Sequence, residues 1–272
     1  MRALAAAVLG LVAGPAVAAC DDQGHCEIAQ GTYHIAVPQG VEAPPMVLWL
    51  HGFGGSGEAA LRNRNGVQRY LDRGYAFAAA DGLRRESGSF GEGRRSWSFH
   101  PDWPQRRNEA EFFAAIVDDA AEVYGIDPDR VVLAGFSIGG SMTHYTACAQ
   151  PDLFDAYAPV AGAFWRPHPT ECVGPVDLFH THGWNDATVP LEGRTFRDGA
   201  AAQGDSWVSM IVWRDANECA TDLPNVREID GDIWRRAWTE CAQGSLRFDL
   251  HPGGHGIPQG WALRMLDWYE SL

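Results

Sequence analysis

Short apolar runs recur along the chain and are separated by longer stretches in which the apolar positions follow a helical spacing. The runs have the length of β-strands and are bounded by turn-forming residues. They predict strands at Tyr33–Val37, Met46–Leu50, Tyr75–Ala80, Arg130–Ala134, Val176–His180 and Leu246–His251.

Two stretches between these runs have the apolar spacing of amphipathic helices, and they predict helices over Glu58–Asp72 and Glu109–Tyr124. Strands that alternate with helices favour an α/β fold, in which a mostly parallel sheet carries helices on both faces. Functional groups in such sheets gather at the carboxyl ends of the strands. No linker or repeat divides the chain, so residues 20–272 are predicted to form a single domain.

The first residues have the pattern of an export signal. Arg2 supplies a positive charge, residues 3–12 are apolar, and Ala16-Val17-Ala18 has the small-residue cleavage pattern. We therefore expect residues 1–19 to be a secretory signal peptide, since the apolar run is too short to span a membrane. A second interpretation stays open: the segment that ends at Cys20 resembles a bacterial lipoprotein processing site, and lipidation of Cys20 would hold the protein at a membrane.

Composition narrows the classes of partner. The 272 residues are 46% hydrophobic and carry 21 basic against 35 acidic side chains, for a net charge of −14. A chain of this kind builds a sizeable core. Binding to nucleic acid or to an anionic membrane surface is disfavoured, because both need clustered lysines and arginines.

Six cysteines in an exported chain predict three disulfides. The order along the chain suggests Cys20–Cys26, Cys148–Cys172 and Cys219–Cys241, although other connectivities are possible. A zinc site is disfavoured because the sequence has no C-x-x-C pair. Unpaired buried cysteines are the remaining alternative.

Glycines flank a serine directly after the strand predicted at Arg130–Ala134, in the order Gly135-Phe136-Ser137-Ile138-Gly139. This is a G-x-S-x-G pattern in a strand–turn–helix context. The glycines permit a strained turn that lifts the Ser137 hydroxyl clear of the sheet. We therefore predict that Ser137 is a nucleophile rather than a capping serine in a glycine-rich turn.

A serine hydroxyl needs a positioned base, and hydrolases with this pattern place an acid and then a histidine downstream. Asp186 follows the fifth predicted strand, and His255 follows the sixth in a glycine-rich loop. Both lie at carboxyl ends of strands, so we predict a triad with Ser137. The rival acid, Asp177, begins its strand, and the rival base, His251, lacks the glycine flanks.

The loop after Met46–Leu50 contains Gly52-Phe53-Gly54-Gly55. We predict that the backbone N–H groups of Phe53 and Ile138 bind the oxyanion that forms during acyl transfer. A phosphate cradle is the alternative, but the loop lacks the Lys-Ser/Thr ending of a P-loop and the spacing of a dinucleotide fingerprint. No cofactor is therefore expected.

His180 and His182 are spaced by two on a predicted strand, so their side chains face the same way and form a candidate metal pair. No third ligand follows nearby. We expect the two histidines to pack in the core or to support Asp186, and no metal is predicted.

Three tryptophans, Trp97, Trp165 and Trp184, are candidate contacts for the acyl or aromatic part of a substrate. Any one of the eleven tryptophans can equally fill the core. Four arginines near the second predicted helix are candidates for an acid group on a substrate, and we expect them instead to be solvated partners of carboxylates. They are Arg94, Arg95, Arg106 and Arg107.

At these residues the chain resembles secreted α/β-hydrolase esterases of the polyhydroxybutyrate depolymerase and feruloyl/acetylxylan esterase group. The most specific match runs from Tyr124 through Val131 and into the Ser137 turn. The resemblance implies an α/β-hydrolase fold with Ser137 as nucleophile, Asp186 as acid and His255 as base. It also supports the two downstream cysteine pairings.

Two departures from the family pattern bear on the substrate. The tryptophan that often follows the catalytic histidine is absent, since Gly256-Ile257-Pro258 keeps only the proline. The linker and binding domain of depolymerases that degrade solid polymer have no counterpart in the sequence. We therefore expect soluble hydroxyalkanoate oligomers or small esters as substrates.

The overall expectation is a secreted serine ester hydrolase that acts on an ester substrate without an obligate protein partner. A feruloyl or acetylxylan esterase acting on plant polysaccharide is an alternative. A serine peptidase of the prolyl oligopeptidase type is disfavoured because the sequence has no room for a propeller domain. A non-catalytic module that binds glycan or polyester is disfavoured by the intact serine, aspartate and histidine.

Overall fold

The computed structural model describes residues 19–21, 24–89, 91–196, 199 and 201–272. The predicted signal peptide lies outside these residues except for Ala19. Within the described part of the chain, no helix is both long enough and apolar enough to cross a membrane.

Fifteen strands and six α-helices are described. The strands are β1 (Ala19–Cys20), β2 (His25–Ile28), β3 (Gly31–Ala36), β4 (Met46–Leu50), β5 (Ala76–Ala80), β6 (Leu83–Arg84), β7 (Arg95–Ser96), β8 (Val131–Phe136), β9 (Ala156–Val160), β10 (Asp177–Gly183), β11 (Arg194–Phe196), β12 (Ala201–Gln203), β13 (Val226–Asp230), β14 (Ile233–Trp238) and β15 (Ser245–His251). The helices are α1 (Gly57–Arg62), α2 (Arg64–Leu71), α3 (Glu109–Tyr124), α4 (Ile138–Ala149), α5 (Ser206–Ala216) and α6 (Trp261–Tyr269).

Eleven of the strands form one sheet in the order β1-β2-β3-β5-β4-β8-β9-β10-β15-β14-β13. The six central strands, β5 to β15 in that order, pair in parallel. Antiparallel strands extend the sheet at both edges. The predicted fold class, a mostly parallel sheet with helices, is confirmed.

Strand β4 shows how the sheet separates two cores. Met46, Leu48 and Leu50 point into a core shared with α3, α4 and α5. Val47 and Trp49 point into a second core shared with α2 and α6. Because side chains alternate between the two faces of a strand, a strand covered on both faces consists of a continuous apolar run. This explains why β4 was visible in the sequence with its correct bounds.

The single helix predicted over Glu58–Asp72 is wrong, because α1 and α2 are separated at Asn63. The Asn63 side chain accepts a hydrogen bond from the Gly66 N–H at 3.3 Å and caps the start of α2. An asparagine that bonds its own backbone competes with a continuing helix, and the apolar spacing does not register that competition.

Strands β9, β13 and β14 and helices α5 and α6 have no counterpart among the predicted elements. Strand β9 consists of small residues and a proline, so it lacks a strong apolar signal. In the β13–β14 hairpin, β13 is largely exposed and polar, whereas β14 has a central pair of arginines; the hairpin extends the sheet by pairing β14 with β15. Neither strand of this hairpin has the continuous apolar run by which the central strands were recognised.

Three disulfides join Cys20 to Cys26, Cys148 to Cys172 and Cys219 to Cys241, as the order along the chain suggests. No cysteine is free within the described residues. The sulfur of Cys20, the candidate lipidation site, is therefore bonded to that of Cys26 in this structure.

Candidate active site

Four loops come together at the carboxyl edge of the parallel strands, after β4, β8, β10 and β15. Strands β4 and β8 are neighbours in the sheet, and so are β10 and β15. This arrangement brings side chains that are far apart in sequence to one edge of the sheet.

Ser137 stands in a tight turn between β8 and α4 with a backbone φ of 59° and ψ of −120°. Such a positive φ is strained for a residue other than glycine, and the surrounding backbone holds it. The Ser137 N–H donates to the carbonyl of Val160 at 2.8 Å, and the Ser141 N–H donates to the Ser137 carbonyl at 2.9 Å. The turn therefore presents the Ser137 side chain at the edge of the sheet.

The glycines on either side of Ser137 permit close backbone contacts. A Cβ atom on Gly135 would lie 2.3 Å from the carbonyl oxygen of Gly139. A Cβ atom on Gly139 would lie 2.2 Å from the carbonyl oxygen of Leu50. Any side chain at these two positions would push α4 away from β8 or from β4, so the turn requires glycine at both.

Ser137, His255 and Asp186 form a continuous hydrogen-bonded series. The Nε2 atom of His255 lies 2.9 Å from Ser137 Oγ, and its Nδ1 atom lies 2.7 Å from Asp186 Oδ2. The side chain of Asp186 is fully buried, whereas that of His255 is 18% exposed. The Phe136 ring packs against the imidazole with ring centroids 4.8 Å apart. The structure thus brings together the three residues of the predicted triad.

The carboxylate of Asp186 is held at both of its oxygens. Oδ1 accepts the backbone N–H groups of Thr188 and Val189 at 2.8 Å each, and Oδ2 accepts from His255. Burial alone would raise the pKa of this carboxyl, but the hydrogen bonds from His255 and the backbone outweigh it and hold the pKa below its usual value. An ionised Asp186 keeps the proton on His255 Nδ1, which leaves Nε2 free to accept from Ser137.

The rival acid and base lie elsewhere. Asp177 is the first residue of β10, at the opposite end of the strand from Asp186, and its carboxylate accepts from Ser245 Oγ at 2.7 Å. His251 is the last residue of β15, and its Nδ1 accepts the Gly253 N–H at 3.2 Å. Both side chains are therefore bonded to groups outside the Ser137 series.

The predicted oxyanion donors belong to two backbone segments that meet beside Ser137. Ile138 is the first residue of α4, where the backbone N–H is not needed for helical hydrogen bonds. A Cβ atom on Gly52, directly before Phe53, would lie 3.4 Å from Ser137 Cβ. The Phe53 loop and the start of α4 therefore flank the nucleophile, as donors to a developing oxyanion must.

His51 holds the Phe53 loop in place, and this role was not predicted from the sequence. Its Nε2 accepts the Gly82 N–H at 3.0 Å, so its Nδ1–H donates to the Gly52 carbonyl at 2.8 Å. Burial lowers the pKa of His51 and keeps the ring neutral, as this pairing requires. The sequence signal for this role is position, since His51 directly precedes the glycine-rich Phe53 loop.

The prediction of Trp97 as a substrate contact is wrong. Its side chain is 3% exposed and packs against His51 and Phe113. The indole N–H donates to the His51 carbonyl at 2.8 Å. Trp97 therefore lies beneath the Phe53 loop and supports it, and a substrate has no access to the buried indole ring.

The other two candidate tryptophans differ in exposure to solvent. Trp165 is 8% exposed, packs against Phe99 and Trp103, and donates its indole N–H to Ser141 Oγ at 3.3 Å. Trp184 is 50% exposed and lies in the same loop as Asp186. Only Trp184 presents a large apolar surface to solvent.

Arg95 and Arg107 both pair with carboxylates as expected, but the Arg107 side chain is buried rather than solvated. Arg107 is buried with Glu109 in an ion pair of 2.6 Å. Arg95 lies 3.2 Å from the buried carboxylate of Asp81, and Arg106 donates to a backbone carbonyl at 2.7 Å. These ion pairs and the hydrogen bonds that arginines donate to backbone carbonyls fix the path of the long loop, and charge counting alone does not reveal them.

Comparison with known proteins agrees with this architecture. A model of the prolyl oligopeptidase family matches residues 63–166, a segment that contains Ser137. A solved structure, the acetyl xylan esterase from Aspergillus awamori, superimposes with a TM-score of 0.65 and 15% identity, covering 89% of this chain and 94% of that one. The chain has the α/β-hydrolase fold.

Curated proteins similar in sequence to this chain include a protein named as an esterase and another named as a depolymerase. "Putative esterase NocK" of Nocardia uniformis subsp. tsuyamanensis is 34% identical over 165 residues, 58% of this chain and 44% of that protein. Poly(3-hydroxyalkanoate) depolymerase C of Paucimonas lemoignei is 31% identical over 138 residues, 48% of this chain and 31% of that protein. The chain spans less than half the length of either relative. The predicted relationship to carboxylic ester hydrolases of this fold is confirmed.

Proposed function

We propose that the protein is a serine ester hydrolase that forms an acyl-enzyme at Ser137. The observation that carries this proposal is the continuous hydrogen bonding from Ser137 through His255 to the buried Asp186, with distances of 2.9 Å and 2.7 Å. This is the arrangement that activates a serine hydroxyl for acyl transfer.

The reaction proceeds in two halves. Ser137 Oγ attacks the ester carbonyl carbon while its proton passes to His255 Nε2, and the N–H groups of Phe53 and Ile138 bind the resulting oxyanion. The tetrahedral intermediate collapses as His255 gives the proton to the departing alcohol. Water activated by His255 then hydrolyses the acyl-enzyme, which releases the carboxylic acid and restores Ser137.

Within this reaction class, we assign the substrate to hydroxyalkanoate oligomers or other small esters. The similarity to a poly(3-hydroxyalkanoate) depolymerase supports this assignment. Feruloyl and acetyl esters of plant polysaccharide are the alternative, supported by the similarity in fold to an acetyl xylan esterase. Trp184 is exposed and lies in the loop that carries Asp186, which we call the acid loop. Its indole ring gives either kind of substrate an apolar surface to contact.

The test is ester turnover by purified wild-type protein and by Ser137→Ala, measured with p-nitrophenyl esters and then with hydroxybutyrate oligomers, feruloylated sugars and acetylated xylan. Ser245→Ala is the matched control, because it removes a hydrogen-bonded hydroxyl at the opposite edge of the sheet. We expect Ser137→Ala to lose at least ~10³-fold in kcat and Ser245→Ala to keep wild-type turnover. Equal turnover by Ser137→Ala and wild type would refute the proposal.

The prolyl oligopeptidase match to residues 63–166 supports one other activity, peptide bond hydrolysis by the same residues. The same preparations therefore include a peptide p-nitroanilide. Amide cleavage that exceeds ester cleavage would replace the esterase proposal with a peptidase. Binding to polyester or glycan with no turnover of any substrate would indicate a non-catalytic module.

We also propose that the protein is exported and that residues 20–272 act as one catalytic domain. The three disulfides support an oxidising compartment. The intact mass of the mature protein distinguishes the two interpretations of Cys20. A mass equal to that of residues 20–272 with three disulfides supports simple cleavage of the signal peptide. An additional mass that corresponds to a lipid on Cys20 contradicts it.

A further inference from the structure

Three buried histidines form a linear hydrogen-bonded series below the acid side of the site. His144 Nε2 lies 2.9 Å from His180 Nδ1, and His180 Nε2 lies 3.0 Å from His182 Nδ1. The indole N–H of Trp213 donates to His144 Nδ1 at 2.9 Å. At the other end, His182 Nε2 lies 2.8 Å from the carbonyl oxygen of Val189. We call His144, His180 and His182 the histidine chain.

The partners at the two ends fix the direction of every bond in the histidine chain. An indole N–H only donates and a carbonyl oxygen only accepts. His144 Nδ1 is therefore an acceptor, which leaves its proton on Nε2, and the same logic repeats at His180 and at His182. All three rings are neutral Nε2–H tautomers, and both nitrogens of each ring are used.

Burial favours this neutral state. All three histidines are fully buried, and burial, together with the neighbouring His182, lowers the pKa of His144 to about 3. Burial likewise lowers the pKa values of His180 and His182. A protonated ring would lose its Nδ1 acceptor and break the series, so the neutral state is the one the geometry requires.

The histidine chain ends at the backbone that holds the proposed acid. The carbonyl of Val189 accepts from His182, and the N–H of the same residue donates to Asp186 Oδ1 at 2.8 Å. His182 Nε2 also lies 3.6 Å from Asp186 Oδ2, the oxygen that bonds His255. His182 thus fixes the loop that orients the carboxylate by donating a hydrogen bond to the Val189 carbonyl.

The histidine chain begins on the helix that starts at the nucleophile. His144 lies on α4, about two turns after Ser137. His180 and His182 share one face of β10, while Thr181 between them points to the other face and accepts from the Trp261 indole at 3.0 Å. The series therefore links the helix of the nucleophile to the loop of the acid through one central strand.

We infer that the histidine chain is a positioning device for Asp186, which holds the acid loop at a fixed place relative to the nucleophile helix. This inference rests on the proposed ester hydrolysis. His182 acts on the reaction only through the Val189 backbone and Asp186, and His180 and His144 act by fixing the tautomer and orientation of His182. The pair His180 and His182, a candidate metal pair from spacing alone, thus takes part in a hydrogen-bond network that supports Asp186.

The test compares His182→Leu with His182→Gln. Leucine removes the donor to Val189, whereas the glutamine amide places an N–H near the position of imidazole Nε2 and restores that donor. We expect His182→Leu to lower kcat by about 10- to 100-fold with KM little changed, because the misplaced acid matters in the transition state rather than in substrate binding. His182→Gln should recover most of the loss. His168→Leu, at a half-buried histidine outside the histidine chain, is the control for general destabilisation.

A second readout does not depend on activity. Nitrogen-15 NMR of the histidine side chains in the wild-type protein should show His144, His180 and His182 as neutral Nε2–H tautomers. This measurement keeps the inference testable if His182→Leu fails to fold.

Several results would overturn the inference. They are wild-type kcat in folded His182→Leu, an equal loss in the leucine and glutamine variants, and charged or Nδ1–H rings in the spectra. Ser137→Ala separates the two proposals. If Ser137→Ala is inactive while His182→Leu is fully active, only the positioning role fails. If Ser137→Ala remains active, the proposed function fails.

Discussion

Ser137 and the loop beside it are positioned by backbone packed on backbone, whereas Asp186 is positioned through a series of buried side chains. On the nucleophile side, glycines at 135 and 139 let three backbone segments approach closely. On the acid side, the carboxylate depends on the Val189 backbone, which His182 holds from below. The site therefore joins one half that is held by close backbone packing to another half that is held by buried side-chain hydrogen bonds.

This difference has a physical consequence for tolerance to mutation. The close backbone approach at Gly139 leaves no room for an added atom, so a change there strains the fold itself. A buried side-chain network instead tolerates a replacement that restores the right donor or acceptor. Substitutions should thus impair the nucleophile half through the stability of the fold and the acid half through the loss of a specific donor or acceptor.

The largest effect is expected from Asp186→Asn. The amide keeps the shape of the carboxylate but not its charge, so it no longer holds the Nδ1–H tautomer of His255, and kcat should fall by ~10³- to 10⁴-fold with the fold intact. Steady-state kinetics and circular dichroism check both parts. Asp177→Asn, at the opposite end of β10, is the control and should keep activity within about twofold.

Gly139→Ala should damage the nucleophile side through the fold. Its Cβ would lie 2.2 Å from the Leu50 carbonyl oxygen, and we expect a loss of about 3 kcal/mol or more in the free energy of unfolding, measured in urea. The control is Gly256→Ala, where an added Cβ meets no atom within 4 Å. If both variants have wild-type stability, the backbone account of the nucleophile side is wrong.

A smaller, pH-dependent effect on the free energy of unfolding is expected at Asp81, the buried carboxylate near the Phe53 loop. Asp81 accepts from the Gly57 N–H at 2.8 Å and pairs with Arg95. Burial alone would raise its pKa, but hydrogen bonds from His34 and Gly57 and the charge of Arg95 outweigh it and lower the pKa to about 2. Since the pKa is lowered on folding, the ionised group stabilises the fold above the unfolded pKa of about 4 and loses that contribution as the pH falls to about 2.

The corresponding variant is Asp81→Asn. The difference in unfolding free energy between wild type and Asp81→Asn should be about 2 kcal/mol at pH 7 and should shrink towards zero near pH 2. Urea unfolding at a series of pH values measures it. A difference that stays constant over this range would show that the charge of Asp81 does not stabilise the loop.

The smallest effect is expected from Trp184→Ala on the solvent side of the acid loop. Trp184 is 50% exposed and packs against the partly exposed Trp234 with ring centroids 5.2 Å apart. The free energy of unfolding should change by about 0.5 kcal/mol or less. KM should rise a few-fold for long-chain esters but not for acetate esters. A uniform change across chain lengths would argue against a substrate contact at this residue.

The two halves of the site also differ in how much the sequence reveals. The G-x-S-x-G turn is a local pattern, and so are the apolar strands that carry it, which is why Ser137 could be located from its neighbours alone. Asp186 and His255 could be chosen because each follows a predicted strand at its carboxyl end. The expected fold class followed from the same alternation of strands and helices.

The supports of the site were only partly visible in the sequence: the spacing of His180 and His182 allowed a role in supporting Asp186, but the part played by His144 was not foreseen. His144 lies on a helix, 36 residues before its partner His180 on a strand, and no spacing rule connects the two. Trp97 was misassigned because an aromatic residue in a loop has the same composition signal whether it faces a substrate or lies under the loop. Burial distinguishes the two cases, and burial is a property of the folded chain.

In the proposed reaction, Ser137 carries the acyl group during turnover. The most direct measurement is the intact mass of the protein quenched in acid within seconds of mixing with p-nitrophenyl butyrate, followed by peptide mapping. We expect a mass increase equal to one butyryl group on the peptide that contains Ser137, present in wild type and absent in Ser137→Ala. Ester turnover with no acylated protein, or an acyl group of the same abundance in Ser137→Ala, would contradict it.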